Sequence, residues 1–408
     1  MLRNNTQFHS AIAGLTKAIQ ATTTAVVPLA KLIPHLRHWW NQELLVLKKK
    51  LNRLNNQSYK LRALADHPVH VEHREACNRY NDVIRCAKTE HWQEFLEGAQ
   101  GPNIWTANWY IANPLSNGGQ QCIPTLKVPW PDDVTAKATT NEAKAAVFSQ
   151  SFFPQKPTMM SLPDEPNYPP WVKYKFRLME SRLCHQISWL HPHKALGDDS
   201  IPNVVLKEVV DLILPYLIQI FRVVFRLNTY SNTWCTWSTI VLHKPGKARY
   251  DVPKAYCPIV LMNTVGKLLS AVVAEDMSFM HEKHQLLPDT HFRGRLGKNT
   301  SNAMHYLVNK VKGTWRWHKV ATVLFLDIEG AFPNAVTERL LHNMCMRRLL
   351  EPYVHLIEQM LTNQHTRLRF DGFTSDLVAI DNGIVQGNPL SMLLYLFYNA
   401  DLIASPKK

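Results

Sequence analysis

Apolar positions change period along the chain, and the period names the elements. Leu44, Leu47, Leu51, Leu54 and Leu61 follow a three-four spacing, interrupted at Ser58, which predicts one apolar stripe on a long helix. Val204 to Leu227 is mostly apolar and predicts a second helix; Lys267 to Met280 predicts a third. Ser238 to Leu242 predicts a short strand ending at Lys244-Pro245-Gly246-Lys247. Val320 to Asp327 is an apolar run rich in β-branched residues, expected as a buried central strand. Asn334 to Leu349 predicts a helix with Val336, Leu340, Leu341 and Met344 on one face. Thr366 to Phe370 and Thr374 to Ile380 flank Asp371-Gly372, a hairpin turn pair. Asn388-Pro389 then opens a helix, since Asn caps and Pro suits the first helical position. Strand, helix, hairpin and helix together predict an α/β layer.

Three textures divide the 408 residues. Residues 1–100 read as helical and basic. Residues 101–190 are loop-rich, with Pro154, Pro157, Pro163, Pro166, Pro169 and Pro170 marking a linker or surface-wrapping segment. Residues 191–408 carry the alternating strands and helices. No internal repeat is visible.

Charge adds a partner class. Lys+Arg 46 against Asp+Glu 32 leaves +14, which favours a polyanion. Twelve Trp interleave that charge with stacking surfaces, which suits nucleic acid better than a membrane. Lys48, Lys49, Lys50, Arg53, Lys60 and Arg62 decorate the leucine helix with no acid between Glu43 and Asp66. That helix is a solvated packing helix, a backbone-binding helix or a short coiled coil. The seven cysteines form no C-x-x-C pair, which argues against a disulfide framework and a zinc ribbon and for a reducing compartment. His67, His70 and His73 with Cys77 leave a zinc site open, although Pro68 interrupts them. Residues 1–42 hold no Asp or Glu, as in a transit peptide, but Arg is sparse and no cleavage region stands out. No secretory signal and no transmembrane stretch is evident; Leu390 to Tyr398 is broken by Asn399 and Asp401.

Two segments carry candidate chemistry. In Leu324-Phe325-Leu326-Asp327-Ile328-Glu329-Gly330-Ala331-Phe332, an ionised carboxylate ends an apolar strand, which is costly unless compensated. A divalent cation compensates it, with Mg²⁺ the ion that binds through few carboxylates and substrate phosphates; capping of the following turn is the other role open to Asp327. In Asn382-Gly383-Ile384-Val385-Gln386-Gly387-Asn388-Pro389-Leu390-Ser391, a glycine-bearing loop enters a helix and lets backbone approach a ligand.

With those blocks in order, the chain resembles reverse transcriptases of non-LTR (LINE-type) retrotransposons over nearly its full length. The Asp327 block is similar to the family's Asp-x-x-x-Ala-Phe, and Gln386 to Ser391 to its Gln-Gly-Asp-Pro-Leu-Ser. Leu242 to Lys247, Lys254 to Ile259 and Asn263 to Lys267 resemble its fingers region; His193-Lys194-Ala195 through Ile201-Pro202 resembles its Lys-Ala-Pro-Gly-Pro-Asp-Gly-Ile-Pro. Trp39-Trp40-Asn41 and the helix after it resemble the linker that follows the family's endonuclease. The resemblance implies an α/β (α+β) right-hand polymerase, fingers plus incomplete palm, preceded by a helical linker. It implies RNA-directed DNA synthesis from RNA template, DNA primer and dNTPs with Mg²⁺, inside the cell in nucleus or cytoplasm. Asp327 would ligate metal with the carbonyl of Ile328, Phe332 would sit under the sugar, Gln386 and Gly387 would line the nucleotide pocket, and Lys244 would face the triphosphate. Lys48, Lys49, Lys50, Arg53, Arg295 and Lys298 are the candidate nucleic-acid contacts.

Departures qualify that activity. Only 22 residues follow Gln386 and none forms the Asp-Asp pair that supplies the family's remaining metal ligands, so the palm is expected to be truncated. Cys257 stands where the family has an Arg that grips the triphosphate, and a thiol cannot make that bidentate contact. Leu196, Asp198 and Ser200 replace Pro, Pro and Gly; Leu296 replaces Pro; Asn388 replaces Asp. A non-catalytic nucleic-acid-binding remnant and a host maturase-like protein are therefore the alternatives to a polymerase domain.

Overall fold

A computed structural model describes residues 2–27, 39–62, 64, 66–97, 122–128, 137–158, 162–175, 178–192 and 194–404. His193 and the stretch from 98 to 121 lie outside the described residues, so the expectations placed on them are not addressed. The chain forms two units: residues 1–27 with 122–408, and residues 28–121.

Helix α1 (Asn5–Val26) belongs to the larger unit, which departs from the expected 1–100 segment. Phe8, Ile12 and Ile19 are buried in its main core, with the Phe8 ring edge-on to Trp234. The Asn4 side chain caps α1 by accepting from Gln7 N. A helix with an apolar stripe docks where a matching surface exists, however distant in sequence.

The smaller unit contains α2 (Gln42–Lys60) and α3 (Pro68–Glu97), which pack on each other. Asn41 caps α2 through Leu44 N. Leu44 and Leu54 are buried and Leu47 and Leu51 half-buried, so the leucine stripe faces inward as its spacing predicts. Ser58, which interrupts the stripe, bonds to the His70 Nδ1 at 2.8 Å. His70 Nε2 lies 3.0 Å from the Leu64 carbonyl, and His67 Nδ1 accepts from Val69 N. These imidazoles are thus engaged in local bonds, and among the described residues no group of three or more His, Cys, Asp or Glu is arranged to hold a metal ion.

In the larger unit, β1 (Leu126–Lys127) and β2 (Lys137–Ala138) form a small antiparallel ladder before α4 (Asn141–Phe152). Residues 154–158 and 162–175 run without helix or strand, as the prolines predict. They are pinned to the surface by Lys156 on Glu338, Tyr168 Oη to His342, and the Arg348 side chain to the Pro170 carbonyl. Then follow α5 (Glu180–Ser188), α6 (Asn203–Glu208) and α7 (Val210–Leu227), the last ended by Asn228 in the left-handed region.

The main sheet is built from β3 (Thr236–His243), β4 (Tyr256–Leu261), β5 (Gln364–Phe370), β6 (Phe373–Thr374) and β7 (Val378–Ile380). Its order is β4-β3-β5-β6, with β7 also paired to β5. β3 runs antiparallel to β4 and parallel to β5, which brings Thr239 and Thr366 hydroxyls to 2.8 Å in the interior. Asp371 and Gly372 both take positive φ, 51° and 74°, as the two-residue hairpin turn requires. The expected strand 374–380 is split, because residues 375–377 leave the ladder between β6 and β7.

Helix α8 (Thr264–Lys283) is the spine of the core: Leu268, Leu269, Val272, Val273 and Met277 are all at most 1% exposed. α10 (Thr337–Met346), α11 (Glu351–Leu361) and α12 (Ser391–Ala404) contribute to the same core. α9 (Thr300–Arg316), closed by an Asn299–Asn302 capping box, buries no residue.

The expectation for Val320 to Asp327 is corrected. The segment carries neither helix nor strand, and Val320, Leu324, Phe325 and Leu326 are 74–90% exposed. A strand exists only with a ladder partner, and none of the described strands flanks this one. No helix of the described residues is long and apolar enough to cross a membrane.

Candidate functional site

Two loops that are 50 residues apart are tied together by backbone bonds. Ile384 N donates to the Phe332 carbonyl at 2.8 Å, Gly383 N to the Ala335 carbonyl at 3.1 Å, and the Asn382 side chain to the Pro333 carbonyl at 3.3 Å. Gly383 sits at φ 99°, and a Cβ there would stand 2.7 Å from the Pro333 carbonyl oxygen, so only glycine permits this approach. The bonds place the segment after Asp327 beside the one before Gln386. Phe332 is half-buried, with its ring 5.4 Å from that of Tyr395. Gln386 and Gly387 are exposed on the turn that follows, and Gln386 lines a cavity of about 40 Å³ with Trp237, Pro258, Val260 and Asn382. The Asn388 side chain accepts from Leu390 N at 2.8 Å, the bond of an Asx turn, and α12 begins only at Ser391, so the helix starts later than the Asn388-Pro389 pair predicts.

A third segment reaches the same place through charge. Lys254, on the turn leading into β4, pairs with Glu329 at 2.7 Å, and that bond holds the Glu329 carboxyl below its usual range. Lys244 Nζ donates to the Lys254 carbonyl at 3.0 Å, and its own carbonyl accepts from the Tyr250 hydroxyl. Lys244 thus bonds to the backbone of Lys254, the residue whose side chain reaches Glu329. Lys254 and Glu329 were not singled out by sequence reasoning. Each lies inside one of the two blocks, but pairing across 75 positions is invisible without the fold.

Asp327 is exposed, and its Oδ1 accepts from Ile328 N at 3.0 Å. The bond reaches only the next residue's backbone and ties the carboxylate to no other segment. With the Ile328 carbonyl it offers one carboxylate and one neutral oxygen, whereas Glu329 is committed to Lys254. Two Mg²⁺ ions in octahedral geometry need more fixed oxygen ligands than this. The described residues do not fit a two-metal centre.

The other candidates separate. Cys257 is half-buried on β4, opposite Leu242. Gly197, in the loop before α6, lies so near β4's end that a Cβ would stand 2.1 Å from the Met262 carbonyl oxygen. Ser200 follows at φ 51°, where the left-handed region favours glycine. Asp199 is buried, accepts from Thr264 N at 2.7 Å, and its carboxyl is pushed up by burial. Lys267 is half-buried on the first turn of α8, its ammonium disfavoured by burial and by nearby Lys194.

Arg295 is a correction. Its side chain is 3% exposed, its guanidinium grips both Glu282 oxygens at 2.7 and 2.8 Å, and it donates to the Pro288 carbonyl at 2.6 Å. All of its fork is spent inside the protein, so it is not a surface cation. Lys298 is likewise engaged, donating to the Asp289 carbonyl at 2.6 Å. On α2, in the other unit, Lys49, Lys50 and Arg53 are exposed, with no ion pair among the described residues, and Lys48 lies 5.4 Å over the Trp40 ring.

No family model matches the chain. Over 378 residues, 88% of this chain, the sequence is 26% identical to the RNA-directed DNA polymerase from mobile element jockey of Drosophila funebris. Over 261 residues, 62% of the chain, it is 24% identical to the probable RNA-directed DNA polymerase from transposon BS of Drosophila melanogaster. Over 210 residues it is 28% identical to the jockey polymerase of Drosophila melanogaster. The chain is related to the reverse transcriptases of non-LTR mobile elements. It spans 39% of the length of the Drosophila funebris relative and 27% of the transposon BS relative.

Proposed function

We propose that this chain is the fingers and part of the palm of an RNA-directed DNA polymerase, a right-hand nucleotidyltransferase, preceded by a basic helical linker. The observation that carries the proposal is the convergence of three blocks distant in sequence: Asp327–Phe332, Asn382–Gly387 and Lys244–Lys254. In this reading Lys244 faces the nucleotide's phosphates, Gln386 and Gly387 border its base, and the Phe332 ring supports its sugar. RNA template, DNA primer and dNTPs are the proposed ligands. Divalent-metal dependence, with Mg²⁺ as the ion, is part of the proposal for the longer polymerase; these residues alone provide one free carboxylate for it.

The purified chain should give no Asp327-dependent primer extension on an RNA template. Joined to the later palm hairpin and thumb of the jockey polymerase, it should extend the primer, and Asp327→Asn should abolish the product. Absence of Asp327-dependent synthesis in the joined protein, with its fold intact, would overturn the reading. A second reading, binding without catalysis, is favoured by the unpaired cations Lys49, Lys50 and Arg53. It predicts RNA binding by the chain with no synthesis in either form.

A further inference from the structure

The outer face of α2 carries cations that no acid answers. Lys49, Lys50, Arg53 and Lys60 are all exposed, and none makes an ion pair among the described residues. With the helical period, they and Gln57 share about 100° of arc, turned away from the leucine stripe. The buried Leu44 and Leu54 fix the other side of the helix, which packs on α3. From Lys49 to Lys60 the helix rises about 16 Å, room for several successive phosphates of a strand.

An aromatic ring lies on the flank of this face. Tyr59, in the last turn of α2, is 66% exposed. Arg62, just past the helix end, lays its guanidinium 4.4 Å from the centre of the Tyr59 ring and donates to the Tyr59 carbonyl at 3.1 Å. A planar cation with a bond to the backbone therefore braces one side of the ring. Charge alone would suit any polyanion. A braced ring left in water beside the charges adds a flat surface for a second flat group. The polyanion whose repeating unit carries such a group is a nucleic-acid strand, and its faces are open where the bases are unpaired. We propose that α2 is a single-strand binding site in which the four cations track the phosphates and one unpaired base stacks on the side of Tyr59 that Arg62 leaves open. In a duplex the bases are already paired and stacked, so the charges act there without the ring. The inference rests on the RNA-binding reading, to which it adds the recognised group, and it does not require catalysis.

Fluorescence anisotropy of the full chain over a salt series tests this. The probes are an unstructured single-stranded RNA, the DNA of the same sequence, an RNA duplex and inorganic polyphosphate. Tyr59→Leu should weaken binding of both single strands roughly tenfold or more, because base stacking tolerates any sequence and uses no 2′-hydroxyl. The slope of log K against log salt should stay the same, since no phosphate contact is lost. The duplex and polyphosphate should bind the variant as they bind wild type. Tyr59→Trp should retain the affinity for single strands. Arg62→Lys keeps the charge and the slope but gives up the planar brace, and should weaken the single strands severalfold. A 2-aminopurine base in the RNA should be quenched by wild type and much less by Tyr59→Leu. Leucine is a good helix former and the position is exposed, so circular dichroism should be unchanged. Unaltered single-strand affinity in Tyr59→Leu, an equal loss on the duplex or on polyphosphate, or a flattened slope would overturn the inference and leave RNA binding by the cations standing. Absence of single-strand binding by the wild-type chain would overturn both.

Discussion

Asp276 lies at the centre of α8, fully buried, and its carboxylate accepts from three donors: the Tyr174 hydroxyl at 2.7 Å, the Arg182 guanidinium and the Tyr353 hydroxyl. It thereby ties α8 to α5, to α11 and to the irregular segment before α5. Replacing it with Ala removes the counter-charge from Arg182, whose side chain is 23% exposed, and takes away the carboxylate to which two phenols donate. Removing one partner of a buried pair costs about 3 to 5 kcal/mol. Arg182 retains some access to water, which places the expected loss near the lower end, about 3 kcal/mol. Burial, together with Asp276, also holds the Tyr353 phenol far above its ordinary pKa. Asp276→Asn, which keeps one acceptor but loses the charge, should fall between Ala and wild type. Urea titration followed by tryptophan fluorescence measures this, with a melting temperature lower by roughly 6 °C for the Ala variant. An Ala variant within about 0.5 kcal/mol of wild type, the scatter of an ordinary surface substitution, would refute the network's structural role.

Three further outcomes are expected. His281 and His291 are buried and their pKa values are pushed down to about 4 by that burial, against 6.5 for the exposed side chain; nearby Arg295 and Lys298 add to the shift and Glu282 opposes it at His281. Between pH 6.5 and 4 the unfolded chain binds these protons first, so stability is complete above 6.5 and falls with pH by about 1.4 kcal/mol per unit for each histidine. Urea midpoints at several pH values should show that slope, and the double Gln variant should flatten it. Ser200→Gly should stabilise by roughly 0.5 to 1 kcal/mol, since relief of the left-handed backbone exceeds the added chain entropy, while Ser200→Val should destabilise; thermal melts of both variants check the sign. Replacing Lys48, Lys49, Lys50 and Arg53 together by Gln should flatten the slope of log K against log salt for single-stranded RNA by roughly three, if α2 contacts the backbone. An unchanged slope with helicity retained would place RNA binding elsewhere.

Local patterns carried much of the architecture. The leucine spacing of α2, the Asp371-Gly372 turn and the strand at Thr236–His243 each depend on neighbours within a few positions, so the sequence displays them directly. The order of blocks around Asp327 and Gln386 likewise marked the chain as related to non-LTR reverse transcriptases before any geometry was known. What required the tertiary structure depends on partners far along the chain. Apolar character predicts a strand at 320–327, but a ladder needs a second strand, and β5 takes the place beside β3 instead. Positive charge marked Arg295 as a surface contact, yet Glu282, thirteen positions earlier on α8, draws it into the interior. α1 reads as part of the N-terminal basic segment, while the surface it matches includes Trp234, and Gln20 bonds to the Asp199 carbonyl. Period and propensity are properties of a stretch of residues. Burial, pairing and the convergence of Lys254 on Glu329 are properties of pairs, and pairs are chosen by the packed chain as a whole.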